Sequence, residues 1–240
     1  MVSETVSQRR VQVWDFPTRA FHWTLLLLIL TAWFTGEEEG AAAQIHMLAG
    51  EIIAGMLVFR LVWGFVGGEH ARFSDFAAGP NAILTQVRSL FSPKPHRHLG
   101  HNPLGGLAVF LLLLTTGVIV AAGLFSGEDA MRGPFAGRGA DLSEVHEAAF
   151  RILQGLVVLH VIGVIVETFR ARDPLVPAMI RGWKPRNADE PAADARRASM
   201  AALLFAVALG VATTASLAWL TPAASSYQTT ESSEDREEEH

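Results

Sequence analysis

Apolar residues gather into five blocks with few charges: Ala20 to Phe34, Ile45 to Val66, Leu104 to Phe125, Leu142 to Phe169 and Met200 to Leu220. A hydrocarbon core of about 30 Å takes about 20 helical residues to cross, and a helix satisfies its own backbone polar groups there. Most of the blocks reach that length, so the pattern predicts an all-α integral membrane protein with five spans. The first block is short. The preceding WDFPTR, Trp14 to Arg19, has an interfacial Trp and an Arg able to snorkel, which carries that span into the headgroups. Asn102 and Pro103 suit the N-cap and first turn of the third span, and Asp141 with Glu144 spells a capping box for the fourth. Ser126 to Ala140, rich in Gly and charge, predicts an irregular connection. The chain therefore divides into a bundle over residues 1–186, a polar linker over 187–198, a further span over 199–220 and an acidic tail over 221–240 whose composition predicts disorder. No internal repeat is evident, and the first block lacks the small-residue cleavage site of a signal peptide.

Charge gives these spans a direction. Arg9, Arg10 and Arg19 precede the first; Arg72, Arg88, Lys94 and Arg97 lie between the second and third; Arg170, Arg172, Arg181, Lys184, Arg186, Arg196 and Arg197 follow the fourth. The opposite connections hold only Arg132 and Arg138, with Arg236 in the tail. The positive-inside rule then puts the N-terminus in the cytoplasm, and five spans put the C-terminus outside. The net charge of −5 over 240 residues adds little, because the charges are sorted by side. A 50% hydrophobic content and a mean hydropathy of +0.28 suit either a soluble domain or a small membrane protein, and the block pattern decides between them. The absence of cysteine excludes disulfides, thiolate catalysis, iron–sulfur clusters and cysteine-held zinc or haem, leaving nitrogen and oxygen as metal donors.

The fourth block carries His146 and His160. Fourteen helical residues separate them by about 21 Å along the axis and only about 40° around it, so both point to one side near opposite membrane surfaces. His22 opens the first span at the inner level and His46 opens the second at the outer level. Two pairs result, His22 with His160 inside and His46 with His146 outside. Paired imidazoles meeting across a bundle are the ligand set of a six-coordinate b-type haem, held without covalent attachment and suited to electron transfer. A single buried histidine is more often a hydrogen-bonded structural residue, and it is the matched depths that favour ligation. Gly50 and Gly163 share helix faces with His46 and His160 and leave room for a flat macrocycle, although glycine is common in membrane helices.

Arg19 and Arg60 are candidates to pair with an inner haem propionate, with snorkelling as the alternative. Glu51 and Arg151 are charges in the outer half of their spans, where Arg151 could reach an outer propionate and Glu51 could serve a proton path. His96, His98 and His101 lie in a loop that reads as solvated, with a metal or quinone role as the alternative; His70 and His240 read as surface residues.

The stretches VWDFPTRAFHW, FRLVWGFVGGEHARFSDF, LGHNPLGG and VHEAAF with VVLHVIGV resemble the bacterial dihaem cytochrome b561 family and its relatives, the b-type cytochrome subunits of nickel–iron hydrogenases. The resemblance runs from about Val11 to Lys184. It implies a four-helix transmembrane bundle holding two b haems, one on His22 and His160 and one on His46 and His146, exchanging electrons with a quinone pool. The fifth span and the tail lie beyond it. The expected function is electron transfer between membrane quinone and a redox partner on the outer, periplasmic face, such as a c-type cytochrome or a hydrogenase, within membrane lipid and without nucleic acid. Glu37, Glu38, Glu39, Glu128, Asp129 and the tail would attract a basic partner. A superoxide:ubiquinone oxidoreductase acting alone and a membrane anchor without redox cofactor are the alternatives.

Overall fold

The computed structural model describes residues 8–90, 92, 98–128, 131–187 and 193–221. Strand β1 (Gln8–Gln12) leads into helix α1 (Phe16–Thr35), and a short turn joins this to α2 (Ala41–Val66). A 3-10 turn, the short helices α3 (Phe73–Phe76) and α4 (Pro80–Ser89), and the long α5 (Pro103–Phe125) follow. A hairpin of β2 (Gly127–Glu128) and β3 (Met131–Arg132) connects to α6 (Ser143–Arg170), after which come α7 (Leu175–Arg181), β4 (Trp183–Asn187) and α8 (Met200–Leu220). Among the described residues four helices, α2, α5, α6 and α8, are long and apolar enough to cross a membrane. Helix α1 has 20 residues, but Arg19, His22 and its threonines dilute its apolar content. Lys94, His96, Arg97, Asp129 and the acidic tail beyond Thr221, His240 included, lie outside the described residues.

Local chemistry sets the helix starts. The Asp15 carboxylate accepts from Thr18 N at 2.8 Å, with Pro17 in the first turn, and the Asn102 side chain accepts from Gly105 N at 2.7 Å. Ser199 caps α8 by accepting from Ala202 N at 3.1 Å. The capping box expected at Asp141 does not form. Asp141 Oδ1 accepts from Ser143 N at 3.0 Å and Ser143 Oγ at 2.7 Å, and the N-cap position falls to Leu142 without a side-chain bond. A tight turn two residues on has captured the carboxylate.

Helix α2 lies at the centre, with α1, α8 and α5 packed against it, while α5 pairs with α6. Gly55 of α2 meets Gly210 and Thr214 of α8, and a Cβ at Gly210 would lie 2.8 Å from the Gly55 carbonyl oxygen. Small residues let backbones approach where lipid supplies no hydrophobic drive to associate. Thr214 Oγ1 donates to the Glu51 carbonyl at 3.2 Å, and Thr221 Oγ1 donates to Glu51 Oε1 at 2.6 Å. The buried Glu51 thus ties α2 to the far end of α8. Large apolar side chains such as Leu114, Leu159 and Phe205 face outward, as lipid-bathed helices require.

Two small sheets depart from the all-α expectation. Strand β1 pairs antiparallel with β4, register Gln8 to Asn187, and β2 pairs with β3 in the connection expected to be irregular. Beside the first sheet, Lys184 and Arg186, counted among the inner-side charges, are buried: Lys184 Nζ lies 2.6 Å from Asp173 Oδ2, and Lys184 Nζ and Arg186 Nη2 donate to the His98 carbonyl at 3.2 and 2.8 Å. The linker is anchored too, since Ala195 N donates to the Gln12 carbonyl at 2.9 Å and Arg196 N to Glu69 Oε2 at 3.0 Å.

Gly55→Leu is expected to force α8 off α2 and cost about 1–3 kcal/mol. A lower midpoint in thermal unfolding, with faster tryptic cutting at Arg196 and Arg197, is the expected record; an unchanged midpoint and cutting rate would show that this contact does not hold α8.

Candidate cofactor site

His46 lies in the second turn of α2 and His146 in the first turn of α6, and the structure brings their rings to a centroid separation of 6.1 Å, inclined at 65°. Each ring is held from behind. His46 Nδ1 meets the Ala32 carbonyl of α1 at 2.9 Å, and His146 Nδ1 meets the Ile119 carbonyl of α5 at 2.8 Å. A carbonyl only accepts, so each Nδ1 carries hydrogen and donates, and Nε2 is the nitrogen left with a lone pair. Helix α5, which has no histidine of its own, therefore takes part through a carbonyl.

At the other end, His22 of α1 and His160 of α6 lie within electrostatic reach of each other, and His22 Nδ1 is buried without a hydrogen-bond partner. The structure thus brings His46 and His146 ring to ring and sets His22 within electrostatic reach of His160, as it does His101. Helix α6 packs along α5 but stands off from α1 and α2, which it meets through rings: His46 with His146, and Trp33 with Phe150 at 5.7 Å. Added Cβ atoms at Gly50 and Gly163 would meet nothing within 4 Å, so both glycines border open space. Among the described residues no three His, Asp or Glu side chains converge as a metal cluster. Imidazole donors in pairs, with no third side-chain ligand beside them among the described residues, fit haem rather than an ion held by protein side chains alone.

The charged candidates separate. Arg60 is 3% exposed, lies over the Phe73 ring at 4.8 Å, has Asp15 within electrostatic reach, and keeps Nη1 buried without a partner. Arg19 donates from Nη1 to the Ile180 carbonyl at 2.5 Å, while its Nε is buried and unpartnered. Arg151 turns outward and pairs with Glu147 at 2.9 Å, both well exposed, one helical turn along the same surface. Glu51 faces α8 as described.

Two loop histidines expected at the surface are packed inside. His101 sits between Trp14 at 4.7 Å and Phe76 at 4.6 Å, with Nδ1 buried and unpartnered. Burial first, then the positive charges of Arg60 and Lys184, push its pKa down to about 3. His70 meets Asp75 at 2.8 Å with its side chain only 11% exposed. The aromatics that enclose them come from β1's end and α3, too distant in sequence for loop composition to signal the packing. At Gly36 and Gly123, in contrast to Gly50 and Gly163, an added Cβ would meet the rings of His46 and His146 within 3.4 Å.

Four helices of membrane-crossing length among the described residues, with the rings of His46 and His146 facing each other between two of them, define a multi-pass membrane protein. A family model described as prokaryotic cytochrome b561 matches residues 13–182, and the chain belongs to that family. It is accordingly a membrane b-type cytochrome of electron transport. Relatives are named as probable Ni/Fe-hydrogenase B-type cytochrome subunits. That of Azotobacter vinelandii is 28% identical over 221 residues, covering 77% of this chain and 92% of the relative. That of Rhizobium leguminosarum bv. viciae is 26% identical, covering 75% and 90%. The hydrogenase 1 subunit of Escherichia coli K12 is 23% identical, covering 72% and 89%. No solved structure matches. Helix α8 lies outside the matched residues.

The depressed His101 pKa has a sign. Between about 3 and the ordinary value near 6.5 the unfolded chain holds more protons at this site, so its contribution to stability is complete above 6.5 and is lost as pH falls toward 3. His101→Phe is expected to flatten the loss of thermal stability between pH 6.5 and 5 by at most about 1.4 kcal/mol per pH unit. Equal slopes in variant and parent would show that His101 is hydrated in the folded protein.

Proposed function

We propose that the chain is a dihaem cytochrome transferring electrons between membrane quinone and a redox protein on the outer face, with His22 and His160 holding one b haem and His46 and His146 the other. The observation that carries this is the outer pair: two rings 6.1 Å apart, each with Nδ1 donating to a helix carbonyl and Nε2 left for metal. Haem b would supply one-electron redox chemistry between these histidines.

The protein's own groups do the rest. Arg60 and Arg19, with guanidinium nitrogens buried and unpartnered, would hold the inner propionates. His101, neutral and aromatic-walled, offers Nδ1 to a quinone oxygen near the inner site. Arginines clustered at the end that carries β1, α4 and α7 support a cytoplasmic N-terminus, with α1 as a spanning member of a four-helix bundle and α8 as a fifth span that ends outside. The names of the relatives support a hydrogenase as the outer partner, and the acidic turn at Glu37, Glu38 and Glu39 also suits a basic c-type cytochrome.

His46→Ala and His146→Ala are expected to remove the same component of the reduced-minus-oxidised visible spectrum, and His22→Ala and His160→Ala the other. Loss of one and the same component in His22→Ala and His46→Ala would overturn the pairing.

A further inference from the structure

Gly36 ends α1 and Gly123 lies inside α5, and each sits four residues after a carbonyl that receives an imidazole, Ala32 and Ile119 respectively. In a helix the carbonyl of residue i points along the axis toward residue i+4, so a side chain at i+4 stands beside it. A Cβ at Gly36 would lie 3.1 Å from the Ala32 oxygen and 3.3 and 3.4 Å from His46 Cε1 and Nδ1. At Gly123 it would lie 3.0 and 3.2 Å from His146 Nδ1 and Cε1. Both rings occupy the space that the missing Cβ leaves.

Backbone conformation does not account for these glycines. Gly36 has φ −77° and ψ −16°, which any residue adopts. Gly123 lies in a continuous helix, where glycine is less favourable than alanine. What they have in common is the ring. We infer that Gly36 and Gly123 are positioning residues for the outer haem: each bares a helix carbonyl so that the Nδ1–H of an axial imidazole can donate to it, fixing the tautomer and aiming Nε2 at the metal. The inference rests on the ligand reading above and adds a role for two residues that carry no functional group. A hydrogen bond from Nδ1 makes the imidazole a stronger donor, and it holds the ring against rotation. The inner pair differs, since His22 Nδ1 has no such acceptor. The two haems should accordingly respond differently to the same kind of change.

The test uses the full holoprotein. Gly36→Ala and Gly123→Ala are compared with Gly117→Ala, a glycine of α5 whose added Cβ meets nothing within 4 Å. Haem release to excess apomyoglobin and the midpoint potential of each spectral component are measured. Release of the outer haem is expected to rise about tenfold or more in the first two variants, and its potential to rise as the ligand weakens, while the inner component and Gly117→Ala stay at parental values. Alanine favours the helix, so a general effect on α5 has the opposite sign and appears equally in Gly117→Ala. Unchanged outer-haem release and potential in Gly123→Ala, with two haems still bound, would overturn the positioning role and leave the ligand pairs standing. Absence of the outer component from the parent protein would instead overturn the ligand reading.

Discussion

Inside a bilayer an imidazole N–H has no water to donate to, and the acceptors within reach are helix carbonyls already engaged in their own ladder. The site depends on how that constraint is met. His46 borrows Ala32 from the last turn of α1, where carbonyls lack intrahelical partners, and His146 borrows Ile119 from α5 beside a missing side chain. Each donation ties one helix to another, α2 to α1 and α6 to α5. It also leaves Nε2 as the nitrogen of each ring that keeps a lone pair.

The rest of the architecture fixes the helices that carry these rings. Helix α2 is held by α1 on one side and by α8 on another through the Gly55–Gly210 contact and the Glu51 bonds, so its histidine side has a fixed backing. At the opposite end, strands β1 and β4, the buried Lys184–Asp173 pair and the ring stack around His101 seal the bundle. Burying Lys184 and Asp173 together costs desolvation that their mutual attraction and the His98 carbonyl offset. The benefit is geometric: the turn after α6 is fixed below His160, and Gly182 of α7's end receives Val13 N and Trp14 N at 2.8 and 3.0 Å just before α1 begins.

Long-period features were legible in the sequence. Apolar blocks and the Asn102 cap located the helices to within a few residues, and the fourteen-residue interval placed His146 and His160 on one face because helical geometry is regular over that distance. What escaped was contact between segments far apart in the chain. Strand β1 finds β4 some 170 residues later, and nothing in QRRVQ announces its partner. His101 looked solvated because its neighbours are loop residues, yet Trp14 and Phe76 enclose it. Asp141 shows the limit of local motifs: the same carboxylate fits a capping box or a two-residue turn, and the adjacent Ser143 decided the outcome. Gly36 and Gly123 were invisible for another reason, since a residue that acts by lacking a side chain leaves only its spacing as a signal.

The central claim is that four histidines hold two haems. Pyridine haemochrome analysis of the purified holoprotein, set against polypeptide concentration from quantitative amino-acid analysis, measures this directly. The account requires two b haems per chain; one haem, or none after expression with added haem, would contradict it.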